Sequence, residues 1–202
     1  KVNLGSLKLL KRLSDSPAPI SILHIGKTGG TALKTALGQA NKSKHLAFHG
    51  HADSLNSIGK KLPHHDVIFG VRDPITRYVS AFNSRLRKGL PRYHTPWSKS
   101  EQIAFSLFDT PNALAIALSS SNPFEKSSAE LSMLGIRHVN QPLSYYLGGI
   151  NNLKKNEEKI KFIYLTELLT SDFEIMKTML GIPKDVQLPS DDIAAHKSPD
   201  EM

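Results

Sequence analysis

The sequence predicts an α/β fold in which helices cover both faces of a central parallel sheet. Short apolar runs of strand length, at 20–25, 67–71 and 161–166, alternate with longer stretches whose apolar residues recur at helical spacing. Glycine, proline and aspartate interrupt the pattern where one element should end and the next begin. Alternating strands and helices are typical of parallel sheets, which bind ligands at the carboxyl ends of their strands.

The first half of the chain supplies three of the predicted strands. The first run leads through a glycine-rich turn into a helix over 31–40, and a second short strand is predicted at 45–49. After the strand at 67–71, Asp73 is placed to cap the next helix and Pro74 suits its first position. One face of that helix carries Ile75, Val79, Phe82 and Leu86.

The second half is predicted to be mainly helical before its last strand. Residues 88–100 contain glycine, two prolines, Trp97 and several basic residues, a composition typical of a long functional loop. Ser171 and Glu174 have the spacing of a capping box, and Gly181 marks the end of the last helix. Helical patterns cover 101–108, 112–118, 129–134 and 143–154.

Length and composition predict one globular domain over 1–202, with 1–19 as an N-terminal extension. The 202 residues are 39% hydrophobic and 22% charged, which is ordinary for a globular protein. The absence of cysteine excludes disulfides and thiolate metal sites and favours a reducing compartment. No stretch reaches the roughly 18 apolar residues of a membrane span, so a cytoplasmic location is predicted. Because the chain begins at Lys1, an upstream anchor with a Golgi location is the alternative.

The net charge indicates an anionic partner. A formal charge of +8 suits nucleic acid, acidic lipid, acidic glycan or a phosphorylated cofactor, and charge alone does not choose among them. No recognised nucleic-acid-binding module occurs in the sequence, so nucleic acid is not expected as a partner. Membrane contact is not indicated, and the oligomeric state is left open.

The first motif lies between the first strand and the first helix. Its glycines allow the backbone to approach a ligand, and free amides at a helix N-terminus form an anion site. A lysine adds a full positive charge, and two threonines add hydroxyl groups. The pattern is that of a phosphate cradle, although a glycine-rich turn without a ligand is the alternative. The segment reads Lys27-Thr28-Gly29-Gly30-Thr31-Ala32.

This loop differs from a Walker A loop. The Walker motif requires glycine at the position that Ser21 occupies. A nucleotide hydrolase also needs an acidic magnesium ligand near the loop, whereas the strand ending at Val71 is followed by Arg72.

The second motif follows the strand at 67–71. Arg72 stands at the predicted ligand edge of the sheet, and Ser80 lies two turns into the next helix on the same face as Arg77. Arginine binds phosphate through two parallel hydrogen bonds, and serine adds a hydroxyl donor. The alternative is that Arg72 pairs with Asp73 and Ser80 is a small packing residue.

Together, the two motifs resemble those of the sulfotransferases that use 3′-phosphoadenosine 5′-phosphosulfate (PAPS). The resemblance is clearest over 20–86 and implies a P-loop-kinase-like, three-layer fold. It identifies the Lys27 loop as the site of the 5′-phosphosulfate, and Arg72 and Ser80 as the 3′-phosphate site. It also suggests that Lys197, in the segment 195–198, closes over the nucleotide.

Within that superfamily, Phe48-His49-Gly50-His51 is similar to the carbohydrate branch, especially the uronyl 2-O-sulfotransferases. The resemblance implies that His51 is the general base and that His49 supports it or replaces it in that role. The implied reaction moves a sulfuryl group from PAPS to an acceptor hydroxyl, with Lys27 at the bridging oxygen and no metal. A histidine suits the base because it titrates near neutrality.

The acceptor is predicted to carry a hydroxyl group and to be an acidic saccharide if the basic residues near the long loop bind it. A solvated basic face is the equal alternative for those residues. His24 is interpreted as a packed core residue, and 64–66 as a solvated turn. The competing functions are a P-loop-like nucleotide kinase and a polyanion-binding protein. The candidate acceptor residues are Arg85, Arg87, Arg92 and His94.

Overall fold

A four-stranded parallel sheet forms the centre of the protein in the computed structural model, which describes residues 19–40 and 46–190. The strand order is β2-β1-β3-β4, and every pair is parallel. The predicted α/β class and parallel sheet are therefore confirmed. The strands are β1 (Ile20–Leu23), β2 (Leu46–His49), β3 (Asp66–Val71) and β4 (Ile160–Leu165).

The strand register brings all four carboxyl ends to one edge of the sheet. Leu23 lies opposite His49 on one side and Phe69 on the other, and Val71 lies opposite Leu165. The chain leaves β1 toward β2 and later returns to its other side as β3, so β1 ends at the switch point where α/β sheets bind ligands.

Helices connect the strands, and several begin at side-chain caps. The carboxylate of Asp73 accepts the amide of Thr76, and Pro74 stands in the first turn, as predicted. Ser98, Thr110 and Asn122 cap the three helices that follow. The helices are α1 (Gly30–Ala40), α2 (Leu55–Lys61), α3 (Pro74–Leu86), α4 (Lys99–Leu107), α5 (Pro111–Ala117), α6 (Pro123–Gly135), α7 (Leu143–Leu147), α8 (Ile150–Lys155) and α9 (Leu169–Leu180), with 3-10 turns at Glu157–Lys159 and Thr166–Leu168.

Helices pack against both faces of the sheet because strand side chains alternate between them. Ile22 and Ile68 join α1 and α9 in one core cluster, which includes Leu33 and Phe173. Leu23 and its neighbours on the same face join α2 and α7 in a second cluster. This arrangement is compatible with a three-layer fold. A third cluster, centred on Phe82, joins α3 to α4, α5 and α6.

Three details differ from the sequence predictions. The helix predicted over 143–154 is two helices, because Gly148 and Gly149 adopt positive φ angles of 73° and 81°. The capping box at Ser171 and Glu174 is wrong, since α9 continues directly from a 3-10 turn and Ser171 lies inside it. Ile75, expected on the apolar face of α3, is 73% exposed.

None of the helices within 19–40 and 46–190 has both the length and the apolar character needed to cross a membrane. The predicted N-terminal extension lies outside the described residues except for Pro19, whose carbonyl oxygen accepts the amide of Asp66.

Candidate active site

A cleft of about 1120 Å³ opens at the carboxyl edge of the sheet. Each strand contributes a residue from the segment that follows it: His24 after β1, His51 after β2, Arg72 after β3 and Thr166 after β4. Its remaining lining comes mainly from α1, α3 and the segments after β4 and α9. These residues include Lys27, Gly29, Gly30, Thr31, Ala32, Lys34, Thr76, Ser80, Arg92, Tyr93, His138, Glu167, Leu188 and Pro189.

The loop between β1 and α1 has the tight backbone that the first motif predicts. Lys27 and Gly29 adopt positive φ angles of 68° and 75°. A Cβ atom at Gly30 would lie 2.3 Å from Cδ2 of His24, so the loop reaches this position only because residue 30 has no side chain. Helix α1 begins at Gly30, and its N-terminal amides therefore stand beside the cleft.

A buried arginine holds this loop in place. Arg77, on α3, donates from Nε to the carbonyl oxygen of Gly26 at 3.0 Å and from Nη2 to that of Gln141 at 2.7 Å. The Tyr146 hydroxyl accepts the Gly26 amide and donates to the Gln141 side chain. Arg77 thus joins the loop to the segment before α7 and is not available to a ligand.

The prediction that the Thr28 hydroxyl belongs to the ligand site is wrong. Its side chain is fully buried, and its hydroxyl donates to the carbonyl oxygen of Ile25 at 2.9 Å. The hydroxyl therefore closes the loop internally and does not face the cleft, whereas Thr31 and Ala32 do line it.

The second motif lies along the same cleft. Arg72, Thr76 and Ser80 line it together, and Arg72 donates from Nε to the Thr76 hydroxyl at 3.1 Å. The amide of Asp73 donates to the carboxylate of Glu167 at 3.0 Å, which ties α3 to the turn after β4. The two predicted anion sites, which stand 45 positions apart in sequence, at 27 and 72, therefore share one cavity.

His51 lies in this cavity with two other imidazoles. Its ring centre is 4.3 Å from that of His24 and 5.3 Å from that of His138. Its Nδ1 lies 3.2 Å from the carbonyl oxygen of His24, so Nδ1 donates and Nε2 keeps its lone pair when the ring is neutral. Burial lowers the pKa of His51, and the charge of Lys27 lowers it further, while the bond to His24 opposes both. His51 is thus a neutral ring with a defined accepting nitrogen.

Sequence reasoning missed two residues of this cluster. His24, interpreted as core, lies at the end of β1 and lines the cleft. Its position immediately after an apolar run, at the end of a predicted strand, could have identified it as a candidate site residue. His138 lies between α6 and α7, where no local pattern marks a site. Burial lowers the pKa of His138 to about 3, and nearby positive groups add to the effect.

His49 lies apart from the described cleft lining, and its role as a supporting or alternative base stays a prediction. Its Nε2 lies 3.0 Å from the buried Ser21 hydroxyl, and its Nδ1 lies 3.7 Å from Asp53. Ser21 also lies 3.0 Å from Nδ1 of His65, which was expected in a solvated turn. His49 therefore belongs to a polar network at β1 and β2 and does not line the cleft formed by the described residues.

The predicted acceptor residues separate into three groups. Arg92 lines the cleft beside Tyr93, whereas Arg87 and His94 lie outside its described lining. Arg85 is fully buried and forms a two-pronged ion pair with Glu101, with nitrogen–oxygen distances of 2.6 and 2.8 Å. The prediction that Arg85 contacts an acceptor is therefore wrong.

The Arg85 pair organises the loop before α4. Burial alone would raise the pKa of Glu101, but hydrogen bonds from Arg85 and from the amides of Ser98 and Arg137 lower it to about 2. The indole of Trp97 donates to the Arg85 carbonyl oxygen at 2.7 Å. The loop over 88–98 is thus anchored by buried interactions.

The predictions for Lys197 and for metal-free chemistry both stay predictions. Lys197 lies outside the described residues. Within the part of the chain that the structure describes, no group of three or more histidines, cysteines or acidic residues is arranged to hold a metal ion. The metal-free chemistry expected from the sequence stays a prediction.

The fold and the cleft define an α/β protein with a lysine-containing loop, an arginine and an imidazole cluster at the carboxyl edge of a parallel sheet. No protein-family model, curated protein or solved structure matches the chain.

Proposed function

We propose that this protein is a PAPS-dependent sulfotransferase with the three-layer, P-loop-kinase-like fold. One observation carries the proposal: the loop of Lys27 and the pair Arg72 and Ser80 line a single cleft. A nucleotide with phosphates at both its 3′ and 5′ positions needs two anion sites within one cavity. The cleft volume of about 1120 Å³ lies slightly above the usual range of about 300–1,000 Å³ for small-molecule sites, so there is room for a nucleotide and part of an acceptor.

The donor set fits the two phosphates. The side chain of Lys27 and the N-terminal amides of α1 would hold the 5′-phosphosulfate, since an amide cluster and a cation both favour an anion. Arg72 and Ser80 would hold the 3′-phosphate through a guanidinium and a hydroxyl group. The acidic residue in the cleft lining, Glu167, accepts the Asp73 amide beside this second site.

These positions support the following reaction. The acceptor oxygen forms a bond to sulfur while the bond from sulfur to the 5′-phosphate oxygen breaks, and the acceptor proton passes to Nε2 of His51. The products are a sulfate ester, 3′-phosphoadenosine 5′-phosphate and a protonated His51. Lys27 stabilises the negative charge that develops on the leaving oxygen. The bond from His51 to His24 keeps Nε2 as the proton acceptor.

The environment of Ser21 favours this function over a P-loop kinase. Ser21 stands where a Walker loop has its first glycine, yet it lies inside β1 and is fully buried. The position of the first Walker glycine therefore lies within the strand and not in the connection from β1 to α1, which spans residues 24–29.

The acceptor stays a prediction. A hydroxyl-bearing, acidic saccharide is supported by Arg92 and Tyr93 at the cleft, since a cation and an aromatic ring suit a charged sugar. The predicted cytoplasmic location also stays a prediction.

Calorimetric titration with 3′-phosphoadenosine 5′-phosphate, without magnesium, tests the proposal. We expect binding in the wild type and a loss of about tenfold or more in Lys27→Ala and in Arg72→Ala, because each removes a charge-assisted contact. Lys126→Ala is the matched control, since Lys126 is exposed on α6 and outside the described cleft lining.

Competing ligands distinguish the alternatives. Magnesium-dependent binding of ATP in place of the 3′-phosphorylated nucleotide would indicate a kinase. Steeply salt-dependent binding of heparin, with no preference for the 3′-phosphate, would indicate a polyanion-binding protein.

A further inference from the structure

Helices α4 and α6 pack side by side along their lengths. The amide of Arg137, just after α6, donates to the carboxylate of Glu101, in the first turn of α4, at 3.2 Å. A Cβ atom at Gly135 would lie 3.0 Å from that of Ser100, so the end of α6 meets the start of α4. The two helices therefore run in opposite directions, and their inner sides are buried in the cluster centred on Phe82.

The outer side of this helix pair is apolar. Ile103 lies one turn after Ser100, and Leu131 lies one turn before Gly135, so both stand beside the line along which the helices meet. Five large apolar residues on this side are between 53% and 80% exposed. They form the α4/α6 face: Ile103, Leu107, Phe124, Leu131 and Leu134.

The spacing along both helices is that of a helix-packing seam. On α6, side chains on this side follow at intervals of three, four and three positions: Phe124, Ser127, Leu131 and Leu134. On α4, the intervals are three and four positions: Ser100, Ile103 and Leu107. This alternation lets side chains interlock between helices in coiled coils and four-helix bundles. A partner that presents two helices would therefore complete a four-helix arrangement on this face.

The size of the α4/α6 face suits a stable interface. Large apolar residues have roughly 200 Å² of accessible surface each, so at the observed exposures the five present on the order of 600 Å². That is at the upper end of the largest apolar patches on monomeric proteins, about 300–600 Å². With its polar margin, the face approaches the roughly 800 Å² that each partner contributes to a stable complex.

The charges around this face are balanced. The chain as a whole has a net charge of +8, yet the exposed charged residues of 99–137 comprise equal numbers of both signs. The face therefore does not repel a second copy, and it does not select an anionic partner. About a two-fold axis, such a mixed margin can pair opposite charges with itself. These residues are Lys99, Asp109, Glu125, Lys126, Glu130 and Arg137.

We propose that the α4/α6 face binds the same face of a second copy of this chain about a two-fold axis, forming a dimer with a four-helix interface. Apolar burial drives the association, and the seam spacing sets how the helices interlock. None of the five apolar residues belongs to the described cleft lining, so this inference stands apart from the proposed function.

Sedimentation velocity of the full chain across the micromolar concentration range tests the proposal. We expect a dimer for wild type. Leu131→Glu and Ile103→Glu each place an unpaired carboxylate in the interface, and we expect them to weaken self-association by about 30-fold or more. Ile150→Glu is the matched control, because Ile150 is equally exposed but lies on α8. Thermal unfolding checks that each variant is folded.

Cross-linking identifies the surface independently. Because the sequence has no cysteine, one introduced cysteine per chain marks a single position. Equivalent residues approach each other near a two-fold axis, so a bismaleimide should link two chains in at least one of the α6 variants. Ile150→Cys should stay unlinked. The α6 variants are Phe124→Cys, Ser127→Cys, Leu131→Cys and Leu134→Cys.

A wild type that is monomeric at every concentration overturns the inference. If such a monomer bound phosphatidylcholine vesicles and Leu131→Glu did not, the face would belong to a membrane and not to a second copy. A dimer that persists unchanged in both Leu131→Glu and Ile103→Glu would form through another surface, which also overturns the assignment. Nucleotide binding by the monomer would leave the proposed function standing in each case.

Discussion

The Nδ1 atom of His51 lies 3.2 Å from the carbonyl oxygen of His24, and this bond leaves Nε2 as the basic nitrogen of the site. His51→Asn preserves a donor near the position of Nδ1 but removes the base. We therefore expect sulfuryl transfer to fall by about 10²–10⁴-fold while 3′-phosphoadenosine 5′-phosphate still binds. Transfer of the label from sulfur-labelled PAPS to a panel of glycan acceptors, compared with a reaction without acceptor, measures the loss.

His49→Gln is the matched control for that substitution. Glutamine can keep the contact with the Ser21 hydroxyl, and His49 does not line the described cleft. We expect transfer to stay near the wild-type rate. If the transfer rate fell as far as in His51→Asn, His49 would have to take part in catalysis.

The pH dependence of transfer should reflect the environment of His51. Burial lowers its pKa from the ordinary value of 6.5, so the ring becomes an available base at lower pH than an unperturbed histidine. The value of kcat/KM should rise with pH and level off with a midpoint below 6.5. A midpoint at or above that value contradicts the assignment of His51 as the base.

Acid should destabilise the protein through His138. Its pKa falls from 6.5 in the unfolded chain to about 3 in the folded state, so between these values the unfolded chain binds the extra proton. The stabilisation is complete above pH 6.5 and is lost as the pH falls toward 3. Between pH 7 and pH 5, the loss of unfolding free energy attributable to His138 is about 2 kcal/mol.

Urea denaturation at pH 7 and pH 5 measures this effect. We expect His138→Asn to show a smaller difference between the two pH values than wild type does, because asparagine does not titrate. His94→Asn, at an exposed position outside the cleft lining, controls for the removal of a histidine. An unchanged pH dependence in His138→Asn would show that His138 does not cause the loss of unfolding free energy at low pH.

Two glycines of α1 should respond in opposite ways to alanine. Gly30→Ala places a Cβ 2.3 Å from the His24 ring, and we expect it to destabilise the protein by about 1–3 kcal/mol and to weaken nucleotide binding. Gly38→Ala meets nothing within 4 Å and should stabilise the helix by about 0.5–1 kcal/mol. Thermal unfolding and calorimetry check both, and equal effects would argue against close packing of His24 on the loop.

The buried pair of Arg85 and Glu101 should be structural. Arg85→Met leaves an unpaired buried carboxylate, and we expect a loss of about 3–5 kcal/mol of unfolding free energy. Adding Glu101→Gln removes that charge and keeps an acceptor for one of the two amides, those of Ser98 and Arg137, that donate to separate carboxylate oxygens. The double variant should therefore be more stable than the single one, because no buried charge is left unpaired. Urea denaturation measures the free energy of unfolding of both variants. A value for Arg85→Met within about 1 kcal/mol of wild type would contradict a structural role for the pair.

Much of the fold was predictable because strands and helix starts are marked by short local patterns in the sequence. The apolar run before Gly26 and the run before Arg72 indicated two strands, and the cap at Asp73 indicated a helix. Since parallel strands end at one edge, the order of elements also placed the Lys27 loop and Arg72 on the same side of the sheet.

Side-chain partners were not predictable because packing, and not chain proximity, selects them. Arg77 bonds to Gly26, 51 positions away, and Arg85 meets Glu101 in the interior instead of an acceptor. His49 and His51 are two residues apart, yet one bonds to Ser21 and the other faces the cleft. The local pattern thus established the sheet and the edge at which the Lys27 loop and Arg72 lie. Only the three-dimensional packing decided which imidazoles reach that edge, because burial depends on residues distant in the chain.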